Sequence, residues 1–143
     1  TYIAEGGVRL IFPGGPAILL FDYYDEDESG ATYNSGIIFQ SAQSHRHSSE
    51  KFIKFIPGAY DTLVEIVDSD WVMELREMNK EIADYWDIRH YAIILDSNGI
   101  YEFIARDYDI LDTKEGRLSK VMNFELEMTY DKEKGRRKWI MKN

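Results

Sequence analysis

The sequence predicts an α+β fold. It reads as a single domain over residues 1–143, with a mainly antiparallel, curved or barrel-like sheet of about seven or eight strands and one principal helix over about residues 69–83. Three observations carry this. Strand-like alternation occurs in both halves of the chain, from Val8 to Tyr24 and again from His90 to Met141. Helical periodicity is clear only within Asp68–Trp86. No repeat, low-complexity tract or linker divides the chain.

Val8–Phe12 and Ala17–Tyr24 read as two strands joined at Pro13-Gly14-Gly15-Pro16, a strong turn signal. In the second, Ile18, Leu20, Asp22 and Tyr24 alternate with Leu19, Phe21 and Tyr23. Both faces are apolar for most of its length, which assigns it a central position. The acidic stretch Asp25–Gly30 is a loop, and a third strand covers Tyr33–Gln43. Ser44–Glu50 is too polar for a core, and Lys51–Ile56 suits strand or helix until Pro57-Gly58 ends it. Tyr60–Val67 favours strand, because β-branched residues cluster there and Asp68-Ser69-Asp70 reads as a break followed by a cap. A continuous helix from Ala59 to Trp86 is the alternative.

The helix itself follows from Trp71, Leu75, Met78 and Ile82, which recur at i, i+4, i+7 and i+11 on one face. Glu74, Glu77 and Lys80 take the other face, and Ser69 or Asp70 caps the start. His90–Leu95 and Ile100–Arg106 form a hairpin through Asp96-Ser97-Asn98-Gly99, since Asn-Gly tolerates the left-handed dihedrals of a tight turn. In Val121–Tyr130, Met122, Phe124, Leu126, Met128 and Tyr130 share one face, and Asn123, Glu125, Glu127 and Thr129 the other. Asp131–Gly135 turns this strand into a last one, Arg136–Met141.

A hydrophobic fraction of 44% in 143 residues excludes a disordered chain and supports a core without staples. There are no cysteines, so disulfides, thiolate metal sites and a cysteine nucleophile are excluded, and a reducing, cytoplasmic setting is expected. Thr1–Gly15 lacks the basic start and apolar run of a secretory leader. Apolar runs such as Ala17–Phe21 are far shorter than the roughly 20 residues that span a bilayer. The net charge of -9 opposes general binding to nucleic acid or an anionic membrane and suits a basic protein partner. The oligomeric state cannot be read from the sequence.

Three groups of residues are chemically suggestive. His45 and His47 stand two apart and point to one side of an extended segment; with His90 they would make a three-histidine zinc site suited to hydrolysis. Arg46 between them counts against it, and a solvated polar loop is the plainer reading. Asp25, Asp27, Ser29 and Gly30 match the first, third, fifth and sixth positions of a calcium loop, but Gly36 stands where a bidentate glutamate is required. Glu102, inside an apolar strand, is the carboxylate best placed for partial burial, which would raise its pKa; the plainer reading puts it on the wet face or pairs it with an arginine such as Arg106. Residues Lys132–Lys142 carry a local charge of +5, which reads as an edge hairpin protected by its lysines and arginines, or as a contact for phosphate or an acidic partner. Catalytic elbows and phosphate-cradling glycine loops are missing; Ser44, Ser48 and Ser49 neighbour histidines in sequence, which does not make a triad.

In size, charge and composition the chain resembles the small acidic, β-rich, cysteine-free bacterial proteins that bind and neutralise toxins. That resemblance implies a non-catalytic, immunity- or antitoxin-like binding module without a cofactor, and it assigns no site residues. The acidic surface expected to meet the partner comprises Asp22, Asp25, Glu26, Asp27 and Glu28, with a second concentration at Glu65–Asp87. The alternatives are the zinc-dependent hydrolase and a β-rich cup for a small apolar ligand. Ten tyrosines, seven phenylalanines and three tryptophans exceed what a modest core needs, which favours the cup.

Overall fold

The computed structural model describes residues 2–24, 31–53, 58–96, 98–118 and 125–142. In chain order the strands are β1 (Tyr2–Ile11), β2 (Ala17–Tyr24), β3 (Thr32–Gln40), β4 (Ser44–Ser48), β5 (Val64–Ile66), β6 (Arg89–Leu95), β7 (Gly99–Ala105), β8 (Asp107–Ile110), β9 (Lys114–Glu115), β10 (Glu125–Asp131) and β11 (Arg136–Lys142). Two helices, α1 (Asp70–Met78) and α2 (Lys80–Ala83), lie between β5 and β6. The chain divides into two compact units: residues 41–107 form an inserted unit, and residues 1–40 with 108–143 form a flanking unit.

In the flanking unit the strand order is β1-β2-β3-β8, with β9 also on β3. β2 is central, as its two apolar faces require, and pairs antiparallel with both β1 and β3. Ile18, Leu20 and Ile38 share one face and build a core with Leu118. Leu126 of β10 and Trp139 and Met141 of β11 pack on it. Gln40, at the end of β3, fastens this hairpin. Its Nε2 donates to the Trp139 carbonyl at 2.7 Å, and its Oε1 accepts from the Trp139 N–H at 2.8 Å. A buried amide paired this way leaves few unsatisfied groups.

The inserted unit is a four-stranded antiparallel sheet, β4-β7-β6-β5. Its centre is the predicted hairpin: Leu95 pairs with Gly99, and Gly99 takes φ +97°, which the Asn-Gly turn anticipated. Ala92, Ile94 and Ile100 share one face, and Ile53, Val64 and Ile66 pack against them, Val64 as the cross-strand neighbour of Ala92.

Several expectations need correction. The strands of the described residues do not form one barrel-like sheet of seven or eight; they fall into sheets of five, four and two. The reason lies in the burial pattern. Barrel strands alternate between an inner and an outer face, whereas Ala17–Leu20, Ile37–Gln40 and His90–Leu95 are buried at every residue, as in sheets covered on both sides. The principal helix is broken. Asn79 sits at φ -143°, ψ 72°, between α1 and α2. Asparagine competes for backbone hydrogen bonds and favours such breaks. Tyr60–Val67 contributes a strand only over Val64–Ile66, and Ser44–Glu50 supplies the edge strand β4 before a 3₁₀ turn at Glu50–Phe52. The expectations at Asp25–Gly30, Lys54–Pro57, Ser97 and Val121–Phe124 lie outside the described residues.

Candidate functional site

Two-residue alternation decides what the inserted sheet brings together. Arg46 of β4 pairs with Glu102 of β7, and His90 of β6 pairs with Ile104, two residues further along β7. Arg46, Glu102 and His90 therefore share a face. His45 and His47 pair with Phe103 and Tyr101, on the other face. The structure thus places His90 on the face opposite His45 and His47, and does not bring the three together. His47 instead donates from Nε2 to the Asn98 carbonyl at 2.6 Å and lies 4.4 Å from the Tyr101 ring. Among the described residues no group of three or more histidines, aspartates or glutamates is placed to hold a metal ion.

On the shared face, Glu102 accepts two hydrogen bonds from Arg46, Nε to Oε2 at 2.7 Å and Nη2 to Oε1 at 3.0 Å. Its Oε1 also receives the Nε2–H of His90 at 2.9 Å. The other imidazole nitrogen, Nδ1, lies 2.7 Å from the Ser69 hydroxyl. Ser69 is the N-cap of α1, and its Oγ accepts from the Val72 N–H at 3.2 Å. One neutral tautomer satisfies the whole chain of bonds: Ser69 donates to Nδ1, and Nε2–H donates to Glu102. Trp71, in the first turn of α1, covers the network. Its ring stands edge-on to His90 at 5.2 Å, and the Arg46 guanidinium lies 4.1 Å above its centre.

Burial pushes the Glu102 carboxyl up, but the hydrogen bonds from His90 and Arg46 and the charge of Arg46 outweigh it and hold the group at about 2. The expectation of a raised pKa is therefore reversed, and the arginine that reverses it is Arg46 and not Arg106, which bonds Asp107 at 3.3 Å. The sequence did contain the clue. Alternation that puts His45 and His47 on one side puts Arg46 on the other.

Serine, histidine and carboxylate in hydrogen-bonded succession have the components of a nucleophilic relay. Here Ser69 is 6% exposed, its oxygen already serves the helix cap, and it lines neither of the two clefts described below. The arrangement's evident work is to lock α1 onto the sheet.

What that lock presents is the outer surface of the helices. Asn79 separates α2 from α1, and Arg76 spans the break by donating to the Ala83 carbonyl at 2.7 Å. A cleft of about 250 Å³ opens here, lined by Leu75, Met78, Ile82, Trp86 and Ile88 among others. Met78 is 74% exposed, so the second half of the predicted apolar stripe faces outward and not into the sheet. Glu74, Glu77, Glu81, Asp84 and Asp87 are exposed on the same segment.

The other predicted acidic surface fares differently. Asp22 is buried, and its Oδ1 accepts the Leu118 N–H at 2.6 Å, so it holds the flanking core and faces no partner. Asp25, Glu26, Asp27 and Glu28 lie outside the described residues. The basic C-terminal segment is the β10–β11 hairpin, with Lys138 near Asp109 and Asp131 at 3.4 and 3.7 Å. Among the described residues no helix is long and apolar enough to cross a membrane. No protein-family model, curated protein or solved structure matches the chain.

Proposed function

We propose that this is a non-catalytic protein-binding module, and that the helical surface of the inserted unit receives a basic partner. The observation that carries the reading is the apolar cleft at the α1–α2 break inside an acidic segment. From Glu65 to Arg89 there are eight carboxylates against three basic residues, a local charge of -5. Lys80 and Arg89 are engaged by Glu77 at 3.1 Å and Asp87 at 3.5 Å. An exposed apolar patch with a charged rim is the usual form of a recognition surface: the centre supplies affinity, and the rim supplies encounter rate and partner choice. The partner's matching feature is a large apolar side chain flanked by lysines or arginines.

The test uses a basic amphipathic helical peptide and an acidic peptide of the same apolar pattern, titrated into isotopically labelled protein. The basic peptide is expected to shift Leu75, Ile82 and Trp86 resonances, with affinity falling as salt rises. Trp86→Ala should weaken it by about tenfold or more, the loss typical of a central aromatic anchor. Equal binding of the acidic peptide, or shifts confined to other surfaces, would refute the reading.

A further inference from the structure

The flanking unit contains a cleft of its own, about 300 Å³, on the β3 and β11 side of the apolar core. Leu20, Ile38 and Leu118 of that core line it, together with Leu111, Ile140 and Met141. This volume is at the lower end of small-molecule sites, and such sites combine an apolar wall with a few polar groups that set orientation.

Two polar groups in its lining can orient a ligand. Asn34, 7% exposed, donates from Nδ2 to the Gly116 carbonyl at 3.1 Å; among the described residues nothing donates to its Oδ1. That oxygen is not sealed from solvent, so it is open to accept a ligand N–H. Lys138 lies 3.4 Å from Asp109 and 3.7 Å from Asp131, and an ammonium has three N–H donors, which leaves one for a ligand acceptor. Asp109 and Asp112 offset Lys114 and Lys138 in the lining, so it carries no net charge. Burying an ion there would go uncompensated.

We infer that this cleft binds a small, uncharged, largely aliphatic molecule with an amide-like head. The head's N–H is received by Asn34 Oδ1 and its carbonyl by Lys138 Nζ. The site is independent of the helical surface, because every lining residue belongs to the flanking unit.

Octanamide, octanoate and octylamine, titrated separately into the full chain, test this. Octanamide should bind saturably, raise the Tm, and show intermolecular proton contacts with the Ile38 and Leu118 methyls. The two charged analogues should bind more weakly. Asn34→Leu should abolish the preference for the amide. Ile140→Trp, which fills the cleft, should abolish binding while circular dichroism confirms the fold. Tighter binding of octanoate or octylamine would overturn the uncharged class. Binding that survives in folded Ile140→Trp, or no contact with Ile38 and Leu118 in the unaltered protein, would overturn the site.

Discussion

The inserted sheet and the flanking sheet each have a covering layer, but they hold it by different physics. The inserted sheet holds α1 through a polar chain rooted in a charge pair: Arg46 binds Glu102 within the sheet, and Glu102, His90 and Ser69 carry the bonds on to the helix cap. The flanking sheet holds its hairpin through Ile18, Leu20 and Ile38 against Trp139 and Met141, with the neutral Gln40 amide as the polar tie. Apolar contacts are non-directional and tolerate an imperfect fit, and a cleft remains within that interface. Bidentate ionic bonds fix direction, and the helix they fix carries an unpaired apolar outer surface. The charged layer is specified for position and the apolar layer for cohesion.

The largest expected effect comes from breaking the charged layer on one side. Arg46→Met leaves Glu102 buried with only His90 as partner, and should cost about 3 kcal/mol in chemical denaturation. Replacing Arg46, His90 and Glu102 together by Met, Leu and Leu should recover much of that loss. If the triple variant were as unstable as the single one, packing and not charge would be the layer's basis.

Acid should separate the two layers next. Glu102 is held at about 2 against an ordinary value of 4.5. Its stabilisation is full above pH 4.5 and disappears as pH falls through about 2, on the order of 3 kcal/mol in all. Amide exchange protection in β6 and β7 should fall over that window in the native protein. Glu102→Gln should flatten the dependence, and an unchanged pH profile in that variant would assign the acid sensitivity elsewhere.

In the flanking sheet, Gln40→Ala removes both bonds to the Trp139 backbone and strands its buried N–H. A loss of about 2 kcal/mol is expected, with a shift in Trp139 fluorescence. A comparable effect is expected at the helix cap, where Ser69→Ala removes the cap bond and leaves the buried His90 Nδ1 without its donor, at a cost of about 2 kcal/mol. Ser69→Thr should restore most of it, whereas a relay with a nucleophilic serine would not be expected to tolerate that exchange in any esterase assay.

These particulars show which parts of the molecule were legible. Local signals were reliable: Asn98-Gly99 specified a turn, Ser69 specified a cap, and the doubly apolar Ala17–Leu20 specified a central strand. Parity within His45-Arg46-His47 was equally plain, but its consequence depends on a neighbour, since only the register of β4 on β7 sets Arg46 beside Glu102. Register between distant segments has no local signature. Trp71, Leu75, Met78 and Ile82 marked the helical segment but neither its break nor its facing: Asn79 separates α1 from α2, and Met78 and Ile82 are exposed. The aromatic content suggested a cup for a small apolar ligand but not where any cleft would lie; the places of the clefts arise from how well side chains of different segments fill space together. Doubly apolar strands also argue against a barrel, and the residues Ala17–Leu20 carry that inference by themselves.

The division of the chain has a consequence for its synthesis. The inserted unit is continuous from Ser41 to Asp107, whereas the flanking unit needs both ends of the chain. Gln40 and Trp139 are 99 residues apart. At about 5–20 residues per second, the ribosome takes roughly 5–20 s to deliver the partner of a buried amide already made. Through that interval the apolar face of β2 and β3 is without its hairpin. The emerging chain is then most exposed to aggregation through β2 and β3, until the β10–β11 hairpin has followed them off the ribosome.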